Sequence, residues 1–247
     1  MALAHAVEYG PAVDEPAEGV DQRVQEISAE LGSPRAAGIA GIVFAALFIV
    51  SFLLLRHTPP EGSTAAQIAT FYLRTNVRRL AIVELYVAPF AGIAFLWFVA
   101  VIRARIGARE DRFFATVFLG SGILFVALFF GALAAGGAVI AAIKFQGAPP
   151  PSPDTFVFAR GLAYAFLYIF AMRAAAVFTA VVSTIALRTG ALPRWLAFVG
   201  YALALVLLLG VSFTRWTVLL FPCWVAAVSV VILLRHGEQA DAVRTTP

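Results

Sequence analysis

The chain has 247 residues, of which 62% are hydrophobic and only 13% charged, with a formal net charge of +4 and a mean hydropathy of +0.91. That charged share is about half of what a soluble domain carries, so the apolar surface exceeds what a water-soluble fold of this size buries, and a bilayer is the expected second solvent. The pI near 9.6 raises nucleic acid as a partner, but the arginines cluster at the ends of apolar runs, where orientation charges belong, and nucleic acid is discounted on that ground.

Residues 1–34 hold seven acidic side chains against one arginine, a net of −6, which leaves +10 on the remainder. An acidic stretch of this kind is not a signal peptide. Residues 1–16 are expected to be disordered. Val20, Val24, Ile27 and Leu31 fall on one helical face, so 19–31 is a candidate amphipathic helix. The single cysteine, Cys223, rules out an intramolecular disulfide. His5, His57 and His236 all lie outside the apolar runs, which leaves no ligand at membrane depth for a haem or a histidine-rich metal site and no base for a serine–histidine protease. No cofactor is expected.

The first expected span is 36–55, with Ala37, Gly41 and Ala45 as a small-residue ridge for close helix contact. A Pro/Gly loop follows, then a short helix capped by Ser63 or Thr64, whose apolar face is Ile68, Phe71, Tyr72 and Leu73. Arg74, Arg78 and Arg79 mark the water boundary before a second span over 80–102. Pro89 is expected to kink that span, and Glu84 shares a face with Ala88 and Gly92. The third span, 113–143, has a second small ridge at Ala127, Gly131 and Ala135, and Gly136–Gly137 as an expected bend.

The PPPSP turn leads into a fourth span over 156–187. Spans three and four exceed a ~30 Å core, and because both surplus ends adjoin one short loop, they are expected to project together beyond the membrane. Gly190 suits a C-cap and Pro193 a helix start, giving a fifth span over 195–213. The sixth, 216–234, is interrupted by Pro222. The expected fold class is therefore all-α: a polytopic bundle of six transmembrane helices over 35–235, flanked by tails at 1–34 and 236–247. Six spans put both termini on one side. That side holds ten basic residues against six on the other, which favours cytoplasmic termini in the cell membrane.

The segment LRTGALPRWLAFVG (187–200), together with AAQIATFYLRTNVRRLAIVEL (65–85), resembles a family of bacterial multi-pass membrane proteins, common in actinobacteria and classed as a domain of unknown function. The resemblance covers roughly 35–235. It implies a six-span helical fold and brings no catalytic residues with it.

Three ionisable residues inside the apolar runs form the candidate ligand or intramembrane polar site: Arg173, Glu84 and Arg160. An arginine at membrane depth costs about 2.5–3.5 kcal/mol on insertion scales, so Arg173, near the middle of its run, is expected to point inward and line a pocket. Its structural partners would be backbone carbonyls or the hydroxyls of Ser121, Thr179 and Ser183. Its functional partner would be an anionic headgroup, a quinone-like carbonyl or a transported anion. Glu84 and Arg160 lie at equal depth, so an ion pair between them is expected. Loop acids Glu61, Glu110, Asp111 and Asp154 are dispersed and make neither a metal cluster nor a nucleophile–base arrangement. The expectation is a non-catalytic membrane subunit, or a protein that binds lipid or an apolar small molecule, with membrane lipids and other membrane proteins as partners. The alternative is a small transporter or channel with Arg173 in the substrate path.

Overall fold

The computed structural model describes residues 34–55, 59, 62–73, 81–106, 112–210 and 215–245. The acidic tail with its candidate helix over 19–31, and Arg74, Arg78 and Arg79, lie outside them. Within the described residues every element is helical. In chain order these are α1 (Pro34–Leu55), α2 (Ala65–Leu73), a π segment (Val83–Val87) leading into α3 (Ala88–Ile106), and α4 (Arg112–Gln146). Then come α5 (Pro153–Tyr164), a second π segment (Ala165–Ala171), α6 (Met172–Thr189), α7 (Arg194–Leu209), a 3-10 turn (Arg215–Leu219) and α8 (Leu220–Thr245).

Among the described residues, five stretches are long and apolar enough to cross a membrane: Arg35–Leu54, Val83–Arg103, Arg112–Gln146, Pro153–Thr189 and Trp216–Arg235. The expected fifth span is shorter than 195–213. α7 has 16 residues, about 24 Å of helix against a ~30 Å core. It stops at Gly210, whose N–H donates to the Val206 carbonyl at 2.7 Å. The polar C-terminal stretch continues the last helix, since α8 runs on to Thr245. Pro222 does not interrupt that helix. It sits in the first turn of α8, after the 3-10 turn, where a proline's missing N–H has no intrahelical acceptor to lose.

Local chemistry sets the other boundaries. Thr64 and Gln67 form a reciprocal capping box at the start of α2, with Thr64 N–H donating to Gln67 Oε1 at 2.9 Å and Gln67 N–H to Thr64 Oγ1 at 3.4 Å. Ser152 caps α5, accepting from the Thr155 N–H, with Pro153 at the first helical position. Gly190, at φ +67°, closes α6 in the left-handed conformation. Pro89 has no N–H and its ring displaces the carbonyl one turn back. The helix absorbs this not as a simple kink but as a π segment, in which the Ala88 N–H reaches the Val83 carbonyl.

The helices pack as antiparallel neighbours, α1 on α3 and α8, α4 on α3, α5 and α6, and α6 on α7. At the centre five fully buried phenylalanines meet from five helices: Phe44, Phe95, Phe125, Phe178 and Phe221. Phe95 is the hub, with ring centroids 4.8 Å from Phe44, 5.0 Å from Phe125, 5.1 Å from Phe178 and 5.6 Å from Phe221. The first small ridge works as expected: Ala37, Gly41 and Ala45 are all buried. The second works only in part, for Ala127 is exposed while Gly131 and Ala135 pack inward.

The surplus length of α4 (35 residues) and of α5 builds a second, smaller core. Ile68 and Tyr72 of α2, Ala81, Ile140 of α4 and Phe156 of α5 cluster there, apart from the main bundle. Gly136–Gly137 do not break α4, which runs as one helix from Arg112 to Gln146. At the opposite end of the bundle, Arg235 Nη1 donates to the carbonyls of Gly190 and Ala191 at 3.0 and 2.8 Å, and Arg188 lies 4.4 Å above the Phe114 ring.

Candidate functional site

Between the phenylalanine hub and the small core lies a cavity of about 810 Å³. Its floor is Phe48 and Phe129, one turn beyond Phe44 and Phe125 of the hub, and Trp216 and Phe52 form part of one wall. The other wall comes from α2, α5 and the second π segment, with Tyr72, Phe156, Tyr164 and Tyr168. Tyr164 and Tyr168 stack at 4.6 Å, and Tyr72 meets Phe156 edge-on at 6.4 Å. A volume of this size accommodates a drug-sized or lipid-like molecule, and a mostly apolar lining with few polar groups is the usual make-up of such sites.

The polar groups are few and specific. Glu84 is carried in by the first π segment and turned towards α4. The side chain fits because α4 offers glycine: a Cβ on Gly136 would run into Glu84 Oε1, and one on Gly137 would come within 2.6 Å of Leu85 Cδ2. The pair expected to bend the helix is thus a notch for the glutamate. Among the described residues Glu84 makes no hydrogen bond or ion pair. Arg160 also lines the cavity, but its Nη1 donates to the Pro59 carbonyl, and the expected Glu84–Arg160 ion pair is not formed. Equal depth brought the two to one cavity. What separates them is that Arg160 sits on α5, in the part that extends past the main bundle, where a loop carbonyl competes for it. Ser51 Oγ is buried at the cavity wall with no hydrogen-bond partner among the described residues. Burial, and secondarily the charge of Glu84, pushes the Tyr72 phenol up to about 12, so this ring stays a neutral donor at any physiological pH.

Arg173 is not in the cavity. It is exposed on the outer face of α6 between Phe170 and Val177, and its Nη1 donates to the Ile169 carbonyl at 2.8 Å. The hydroxyls offered as its partners lie on the opposite face and serve their own helices: Thr179 bonds the Ala175 carbonyl, Ser183 that of Thr179, and Ser121 that of Phe118. The inward face of α6 is the small stripe Ala175, Thr179, Ser183 and Ala186, leaving Arg173 with Val177 and Leu187 outside. Along the Pro153–Thr189 stretch Arg173 is near the middle, about 24 Å from Thr189 at ~1.5 Å per residue, and its side chain leans towards the N-terminus of the helix, the cavity end. Arg173→Leu is therefore expected to leave thermal stability in detergent unchanged or raised, since it removes a guanidinium that spans no helix contact. A loss above about 1 kcal/mol would show a tertiary role.

Sequence reasoning missed Ser51, Tyr164, Tyr168 and Trp216, whose only mark was to be aromatic or hydroxylic near the end of an apolar run. No group of three or more His, Cys, Asp or Glu positioned to hold a metal ion occurs among the described residues. No family model, curated protein or solved structure matches the chain.

Proposed function

We propose that this is a non-catalytic integral membrane protein that binds a lipid or other apolar small molecule in the cavity above the phenylalanine hub. The observation that carries the reading is the cavity itself: about 810 Å³, rich in aromatic side chains and walled on one side by elements that lengthen two helices past the main bundle. Membrane embedding is supported by the five long apolar helices and by what they turn outward, including Ile39, Phe90, Leu124, Phe170 and Val230. Six crossings are supported by the path of the chain. α6 ends where Arg235 meets Gly190, Trp216 returns at the cavity, and only α7 connects the two ends. The arginine-rich end then carries both termini and faces the cytoplasm, with the cavity on the far side. The resemblance to the actinobacterial-type family agrees with a six-span bundle.

Binding is favoured over transport by the hub. Five interlocked rings fill the bundle between the cavity and the arginine end, and Arg173, the residue a substrate path would have used, lies outside. The test is a variant that fills the cavity. Ala163→Trp places an indole at its lining and is expected to lower the affinity of an uncharged hydrophobic fluorophore at least about tenfold while the protein stays monodisperse. Unchanged affinity in a folded variant would remove the cavity as the binding site.

A further inference from the structure

We propose that the ligand of this cavity carries a positive charge: an ammonium or comparable organic cation on an apolar body, with Glu84 as its counter-ion. The inference rests on the reading that the cavity holds a ligand and adds the chemistry of its head. Four observations lead to it. Glu84 opens onto a cavity whose lining is otherwise largely apolar and aromatic, and it has no hydrogen-bond or ion-pair partner among the described residues. The cation that shares the cavity, Arg160, is engaged by other groups, the Pro59 carbonyl among them. Two successive glycines keep the space the Glu84 and Leu85 side chains occupy, so the backbone of α4 is cut to the carboxylate's position. Ser51, only 3% exposed, adds to the same cavity a hydroxyl with no hydrogen-bond partner among the described residues, ready to hydrogen-bond a ligand.

The aromatic lining completes the site. A carboxylate withdrawn from water demands either a donor or a positive charge, and ring faces attract organic cations while tolerating their apolar substituents. Tyr72, the stacked Tyr164–Tyr168 pair, Phe156 and Trp216 supply aromatic groups to the same cavity. A neutral hydrocarbon would leave the carboxylate unsatisfied. An anionic amphiphile would meet Glu84 as a like charge and find Arg160 already bonded.

The experiment titrates the purified full-length protein in a neutral detergent with two probes, a benzyl-dimethyl-dodecyl ammonium and the matching uncharged benzyl dodecyl ether, read by tryptophan fluorescence. Wild type is expected to bind the cation at least about tenfold more tightly than the ether. Glu84→Gln is expected to lose that preference while holding the ether within about twofold of wild type, and Glu84→Asp to retain part of it. Ether binding in Glu84→Gln also shows that the cavity has survived the substitution. If Glu84→Gln binds both probes as wild type does, the charge assignment falls and the cavity reading stands. If wild type binds neither, both fall. Mass spectrometry of material copurified with wild type but lost from Glu84→Gln separates a lipid with an ammonium headgroup from a free amphiphilic amine, and either supports the assignment.

Discussion

Replacing Phe95 with alanine is expected to destabilise the protein by about 3–5 kcal/mol, the range for removing a fully buried aromatic ring. Besides Phe98 on its own helix, Phe95 touches four rings supplied by four other helices, each fully buried. Its loss leaves a void that no single helix can close by shifting, because each neighbour is held by the others. Lipid tails are as apolar as the ring, so the hydrophobic transfer that drives folding in water contributes little here. The penalty comes from lost packing and from the unfilled space. Denaturation in mixed micelles measures it. The control is Phe90→Ala on the same helix, where the ring is 60% exposed, and a change within about 0.5 kcal/mol is expected. Equal effects at the two positions would mean that the hub is not what holds the bundle.

That hub shows where the sequence is legible and where it is not. Run length, Pro/Gly punctuation and the Thr64, Gly190 and Pro193 signals placed most helix ends, because those are local facts of backbone chemistry. Which of the 22 phenylalanines meet at one point depends on how five helices are rotated, and no local signal records that. The expected fifth span overruns α7 to Phe213 because hydropathy has no term for where a helix stops. The π segments were invisible for a different reason. Pro89 announced a disturbance without saying that the chain would insert a wider turn.

The site residues divide the same way. Equal depth in the sequence rightly brought Glu84 and Arg160 to one cavity, but depth is only one coordinate, and the Pro59 carbonyl won the guanidinium. Arg173 was misplaced although the information was present. The stripe Ala175, Thr179, Ser183, Ala186 defines the packing face of α6, and Arg173 lies opposite it on a 3.6-residue period. Assuming that an intramembrane arginine must be buried overrode the periodicity. A side chain this long instead meets its own helix one turn towards the N-terminus, at the Ile169 carbonyl.

Gly41→Ala tests a close approach of three helices and is expected to destabilise by about 1–3 kcal/mol, as overpacking does. On helix propensity alone the sign would be opposite, since alanine is favoured over glycine by about 1 kcal/mol in a helix interior. What reverses it is the space. A Cβ at position 41 would collide with Ser229 Oγ on α8 and lie 2.9 Å from Phe98 Cδ2 on α3. Both neighbours are fully buried, and Ser229 Oγ is fixed by its 2.8 Å bond to the Val225 carbonyl. α1 cannot retreat from one without pressing on the other, because the two helices flank it. Ser229→Ala should be close to neutral alone, since the Val225 carbonyl keeps its place in the helix ladder, and in combination it should recover part of the Gly41→Ala loss. Gly120→Ala is the matched control. A Cβ there meets nothing within 4 Å, so propensity acts alone and the protein should gain up to about 1 kcal/mol. Thermal and denaturant midpoints of the four variants decide it: if Gly41→Ala and Gly120→Ala shift stability alike, the small-residue ridge of α1 is not a contact that glycine makes possible.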